Sequence, residues 1–193
     1  MKKIFIDCGA HEGESIRTFR KLYKDANEYE LHSFEANPDL FKYFEGDSEI
    51  TKLSNFTFHP YAVWKHDGVV NFYKDTSSNN SRSGSSINAK KQNLQKEPIS
   101  APCIDLAKWI TSNYSITDYI VLKLDIEGAE YELVEHLIAK NAFAYVDILY
   151  IEFHSRKLGL ESSVDQQCLT SIRQSNPNMK IHHDTHIGFQ FTR

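Results

Sequence analysis

The sequence holds few cysteines, no long apolar run and no excess of basic charge, and each shortage closes off a class of answers. Cys8, Cys103 and Cys168 are far apart and odd in number. They offer neither a disulfide framework nor metal-ligand spacing, so a reducing compartment is expected. No stretch approaches the ~18–20 apolar residues that span a bilayer. The opening MKKIFIDCGAHEG carries two lysines, but its apolar run meets Asp7 after three residues, too short for a signal-peptide core. Without a secretion signal, the triplets at Asn55, Asn79 and Asn113 read as chance matches to a glycosylation site. A cytoplasmic protein without a membrane span is the expectation. Basic side chains number 22 against 26 acidic ones, for a formal charge of −4, which argues against a nucleic-acid partner.

What is present suits one packed domain. The 193 residues are 40% hydrophobic and 12% aromatic, with no internal repeat and no domain boundary. Strand and helix signals alternate. KIFID reads as a buried strand, and residues 13–24 place Ile16, Phe19 and Tyr23 at helical spacing. YELHSFE follows as a strand, and Asn37-Pro38 caps and starts a helix. FTFHPYAVW and VVNFYKD flank KHDG as a hairpin with an Asp-Gly turn. IDLAKWI reads as a helix, YIVLKLD as a strand, AEYELVEHLIA as a helix and VDILYIEFH as a strand. A helix over 164–175 precedes MKIHH and IGFQF, which read as a terminal antiparallel hairpin. Repeated strand–helix units imply an α/β fold with a mostly parallel sheet and right-handed crossovers.

Ligands of such sheets sit beyond the carboxyl ends of the strands, which is where DCGAHEG falls. A dinucleotide loop needs a second glycine where this chain has His11, and a P-loop needs Gly-Lys where Gly13 meets Glu14. Asp7 and Glu12 also oppose a phosphate. Gly9 and Gly13 permit a tight turn, and carboxylates suit a ligand with an amino end. The second strand ends in Glu35, whose carboxylate can accept from both hydroxyls of a ribose. An amino end plus a ribose without phosphate describes S-adenosylmethionine. The bland alternative is an ordinary strand–helix turn with a surface glutamate.

Four blocks then occur in order: IDCGAHEGE, FEANPDLF, YAVWKHDGVVNFY and VLKLDIEGAEYELV, followed by ILYIEFH. This succession resembles the FkbM-type family of S-adenosylmethionine-dependent O-methyltransferases. The likeness runs from about Ile4 to His154, about three-quarters of the chain, and KLDIEGAE is its most specific piece. It implies a Rossmann-like methyltransferase fold of seven strands, with helices on both faces and the terminal antiparallel hairpin as an edge. By the resemblance, Asp7, Gly9, Ala10 and Gly13 form the cofactor turn, Glu35 holds the ribose, and Ala36 and Asn37 lie against the adenosine. Ala62 and Val63 fall where such enzymes line the adenine site. His11 stands where the family commonly has Asn and keeps hydrogen-bonding ability. The implied acceptor is a hydroxyl of a carbohydrate or glycosylated metabolite, bound by loops, a partner or a second subunit.

Methyl transfer to a hydroxyl needs a general base or a metal that lowers the hydroxyl's pKa. Asp125 and Glu152 belong at carboxyl ends of adjacent strands, with His154 two residues on, and these three are the candidate catalytic residues. Asp125 and Glu152 are also candidate ligands for Mg²⁺ or Mn²⁺. Against this, Asp125 could cap the following helix and Glu127 could favour its N-terminal dipole. For Glu127 and Glu130 the structural reading comes first. Glu152 and His154 share a strand face, so they point together at a site or together at solvent. Lys123 is placed to pair with a carboxylate. HHDTH (182–186) looks like a metal cluster, but adjacent strand residues face opposite ways, so it reads as a hairpin tip. Trp64 and Trp109 read as packing residues, with Trp64 near the adenosine region. The polar segment 76–97 is long for a loop and is expected to cover the acceptor as a lid, with Ser85 and Ser86 nearest to it. An RNA or protein methyltransferase and a non-catalytic binding module remain as alternatives.

Overall fold

Runs such as Ile4-Phe5-Ile6, apolar at successive positions, need a strand covered on both faces. The computed structural model describes residues 1–46, 49–76 and 84–184. In chain order it forms β1 (Lys3–Cys8), α1 (Glu14–Leu22), β2 (Tyr29–Phe34), β3 (Phe56–His59), β4 (Ala62–Trp64), β5 (Gly68–Phe72) and β6 (Ile99–Asp105). There follow α2 (Leu106–Asn113), β7 (Tyr119–Leu124), α3 (Glu130–Ala139), β8 (Ile148–Glu152), α4 (Ser163–Ser175) and β9 (Lys180–Asp184).

Six strands make one parallel sheet in the order β3-β2-β1-β7-β8-β9. Ile4, Ile6 and Cys8 face one core together with Ile120, Leu122 and Leu124, covered by Leu106, Ile110, Leu133 and Leu169 from α2, α3 and α4. Phe5 and Val121 face the other core, under Ile16 and Phe19 of α1. Phe19 stacks on Phe5 with ring centroids 4.1 Å apart. At nine residues α1 is too short to hold itself by propensity. Fully burying Ile16 and Phe19 contributes ~1.5–3 kcal/mol each, so packing fixes the helix on the sheet. The result is a Rossmann-like α/β fold whose strand order reverses between β1 and β7.

One expectation about strands needs correcting. β4 and β5 do not form a hairpin around Lys65–Gly68. β6 lies between them, parallel to β4 and antiparallel to β5, in a separate three-stranded sheet. The Asp-Gly signal is local, whereas β6 buries Ala101 and Cys103 and supplies pairing edges to both neighbours. At the far edge of the main sheet stands MKIHH, the first half of the expected terminal hairpin. β9 pairs parallel with β8, because α4 provides a crossover between them. Among the described residues the main sheet has six parallel strands; IGFQF, the other half of the expected hairpin, lies outside them. His182 sits within β9 and stacks on Tyr150 at 4.7 Å, so HHDTH begins in a strand rather than at a hairpin tip. Among the described residues, no helix is long and apolar enough to cross a membrane.

Candidate active site

The site is built where β1 and β7 end side by side. Gly9 has φ +81°, and a Cβ there would lie 1.8 Å from the Asp125 carbonyl oxygen. Only glycine lets the two strand ends approach this closely. The backbone N–H groups of Gly9 and Ala10 both donate to the Phe34 carbonyl at 3.0 Å, tying the turn to β2. Gly13, at φ +87°, leads into α1 and leaves no room for a Cβ beside Ile50.

Glu35, just past β2, is buried and receives two backbone donors. His11 N–H reaches Oε2 at 2.8 Å and Asn37 N–H reaches Oε1 at 2.7 Å. Burial pushes its carboxyl up, and those N–H groups oppose the shift. His11 adopts φ +51°, which aims its N–H at this carboxylate. Asn37 caps the next turn, a 3₁₀ helix over Pro38–Tyr43, by accepting from Asp39 N–H at 3.1 Å.

A cavity of about 380 Å³ opens at this junction. Gly9, Ala10, His11, Glu35, Ala36 and Asn37 line one side. Ala62 and Val63 line it from β4, and Asp125 and Glu152 close it from the ends of β7 and β8. Three of the residues singled out from the sequence lie outside the lining: Asp7, Gly13 and His154. The cavity also takes in Ser15 and Thr18 of α1, Tyr61, Phe72 and Ile126. Ser15 and Thr18 are three apart and so neighbours on one face of α1, a spacing that could have marked them. Phe72 comes from β5 of the small sheet and Tyr61 immediately precedes β4; no local signal revealed that sheet's topology.

Beneath the floor lies a buried ion network. Asp7 and Lys123 are register partners on β1 and β7 and point to the same face. Lys123 Nζ lies 3.1 Å from Asp7 Oδ1 and 3.4 Å from Asp125 Oδ2, and donates to the Gly9 carbonyl at 3.0 Å. Burial opposes its charge, but Asp7 and Asp125 outweigh that and hold the ammonium well above its usual range. Asp7 therefore holds Lys123 under the turn and does not itself meet the cavity.

Asp125 does not cap α3, whose N-cap position is Ala129 with no side-chain cap; Glu130, the first residue of the helix, instead holds the loop before it. It accepts from Ile126 N–H and Gly128 N–H, each at 2.9 Å, and from His154 Nδ1 at 2.9 Å. Glu127, in the left-handed region at φ +56°, pairs with Lys91 at 3.0 Å and Lys157 at 2.8 Å. His154, two residues past the end of β8, is buried with Nε2 3.6 Å from Glu152 Oε1, while only Glu152 lines the cavity. Burial disfavours an imidazolium there, but Glu130, Glu127 and Asp125 together push the pKa up to about 9. Burial and Asp125 raise Glu152 as well. Trp109 packs edge-on against Phe34 and His59, and Trp64 carries Lys65 over its ring; neither lines the cavity.

The family model of the methyltransferase FkbM domain matches residues 7–181. The chain belongs to this methyltransferase family. A search of the curated proteins found no match, and neither did a search of the solved structures. The FkbM-domain match runs from Asp7, at the end of β1, through Ile181 on β9, and so takes in the turn, the cavity and the ion network together. The acidic residues of this methyltransferase, Asp125 and Glu152, line the same cavity as the turn at Gly9 and Ala10.

Proposed function

We propose that this methyltransferase uses S-adenosylmethionine and transfers its methyl group to a hydroxyl of a carbohydrate or glycosylated metabolite. The observation that carries the reading is the placement of Glu35 in the cavity wall beside the Gly9–Ala10 turn. Each of its oxygens accepts one backbone N–H and keeps lone pairs for the two hydroxyls of a ribose. Ala36, Asn37, Ala62 and Val63 then lie against the adenine, and small side chains there leave space for a flat ring.

The charge of the lining supports both ligands. Glu14, Glu35, Asp125, Glu127 and Glu152 face the cavity, and its one described lysine, Lys123, is committed to Asp7. Such a wall suits a cationic sulfonium cofactor and a neutral, hydroxyl-bearing acceptor, and it repels phosphorylated ones. In the reaction the acceptor oxygen bonds to the methyl carbon as the carbon–sulfur bond breaks. The electron pair of that bond stays on sulfur, and the hydroxyl proton leaves to a carboxylate, Asp125 or Glu152. Positioning these groups in line is the main work of the protein.

Ser85, Ser86 and Ile87 line the cavity on the side of the segment expected to be a lid. Residues 77–83 of that segment lie outside the described residues. The part that follows is anchored by a Tyr73–Ser86 bridge and by Asn88 Nδ2 donating to the Gly128 carbonyl at 2.9 Å. It covers the acceptor end of the cavity in this reading.

Calorimetric titration with S-adenosylhomocysteine tests the cofactor, and a screen of glycosides with methyl-labelled S-adenosylmethionine tests the acceptor. Label appearing on protein or RNA rather than on glycosides would replace the acceptor assignment.

A further inference from the structure

His154 is 3% exposed, and its two ring nitrogens have very different surroundings. Nδ1 donates to Glu130 at 2.9 Å. Nε2 has no hydrogen-bond partner, yet three carboxylates face it: Glu152 at 3.6 Å, Glu127 at 3.6 Å and Asp125 at 3.9 Å. A buried polar atom left unmatched in a ring of oxygens points to a ligand that joins them.

We propose that His154 Nε2, Asp125 and Glu152 form a divalent-cation centre, with Glu130 as the residue that positions the imidazole. The inference deepens the methyl-transfer reading and rests on it, because Asp125 and Glu152 line the same cavity. Ligands ~2.1 Å from an ion lie ~3.0 Å apart when adjacent and ~4.2 Å apart when opposite. The separations of 3.6 and 3.9 Å from Nε2 fall between those limits.

The neighbouring carboxylates are already engaged. Glu127 is held by Lys91 and Lys157. Glu130 offers an oxygen within 4.8 Å of ligand atoms of Asp125 and His154. Both its oxygens already accept backbone N–H groups, and one also takes the Nδ1 proton, which makes it a holder of the ring rather than a ligand. The Nδ1–H···Glu130 bond orients the ring so that Nε2 faces Asp125 and Glu152, and an ion bound there would displace the Nε2 proton. Two carboxylates and one imidazole, with remaining positions for oxygen, suit Mn²⁺ better than Mg²⁺. When bound, the ion supplies positive charge beside the oxygen that develops negative charge during transfer.

Titrate MnCl₂ into the full chain, following heat and the loss of the free Mn²⁺ resonance signal, with S-adenosylhomocysteine titrated in parallel. The expected result is one bound Mn²⁺, with affinity weakened at least ~10-fold in His154→Ala and ~10–100-fold in Glu130→Gln. No bound Mn²⁺ at millimolar concentration overturns the centre. So does unchanged Mn²⁺ affinity in folded His154→Ala. Should His154→Ala fail to fold, Glu152→Gln on the cavity wall decides the same question. Glu130→Gln that only lowers the melting temperature, with Mn²⁺ affinity intact, removes its positioning role. Nucleoside binding without Mn²⁺ binding leaves the methyl-transfer reading standing and sinks this inference alone.

Discussion

Glu35 accepts the backbone N–H of His11 at 2.8 Å, so the carboxylate that ends β2 shapes the turn that ends β1. One side chain thus organises the loop and faces the cavity. Glu35→Ala removes the acceptor for two N–H groups along with the contact to a bound ribose. Charge-assisted hydrogen bonds are worth ~1.5–3 kcal/mol, so affinity for S-adenosylhomocysteine should fall ~10–100-fold. Calorimetry on the folded variant checks this, and unchanged affinity takes Glu35 out of the cofactor site.

Lys123 and Asp7 should be inseparable in stability. Both are buried, and removing one strands the other's charge. Breaking a buried pair in this way costs ~3–5 kcal/mol. Lys123→Met should therefore lower the unfolding free energy by about that amount, and Lys123→Met with Asp7→Asn should recover much of it. Denaturant melts of both variants give the comparison, and equal loss in the two would mean that the pair is not coupled.

The fold was legible wherever hydrophobic pattern and local chemistry agreed. Ile4-Phe5-Ile6, the Asn37-Pro38 cap and the helix over 163–175 each carry their own signal. β6 does not, because Pro102 within it argues against a strand and its partners are remote in sequence. Within the site, Gly9, Glu35, Asp125 and Glu152 were marked by position at strand ends. The division of labour between Glu130 and Asp125 was hidden, since both stand near the start of α3. Only the folded loop shows Glu130 turning back onto Ile126 and Gly128. Phe72 reaches the cavity from the small sheet and Tyr61 from just before β4, and that sheet depends on pairs as remote in sequence as Gly68 and Cys103.

Stability should fall on mild acidification because of His59 and His32. Their rings lie with Nδ1 of His32 3.0 Å from Nε2 of His59, and Phe34 stacks on His59 at 4.3 Å. Burial, followed by the proximity of His32, lowers His59 from 6.5 to about 4. Burial also lowers His32. A folded pKa below the unfolded one means that the unfolded state binds protons first. This contribution is fully present above pH 6.5 and is lost as pH falls toward about 4. His59→Phe should flatten the stability–pH curve across that window; an identical slope in the variant would contradict it.

Asp125→Asn should spare cofactor binding more than turnover. Its carboxylate faces the cavity next to Glu152, where the acceptor hydroxyl meets the methyl group in this reading. General acid–base catalysis contributes ~10²–10⁴-fold, so kcat should drop within that range. The nucleoside affinity should change less than ~10-fold, or ~1.4 kcal/mol. Equal losses in both quantities would assign Asp125 to cofactor binding instead.

The cavity's assignment rests most squarely on one titration, that of S-adenosylhomocysteine into the unmodified chain and into Gly9→Val. The unmodified chain should bind one molecule. The variant should lose that binding, because its side chain would run into the Asp125 carbonyl at the wall of the cavity. An unmodified, folded chain that takes up no S-adenosylhomocysteine at millimolar concentration would contradict the reading outright.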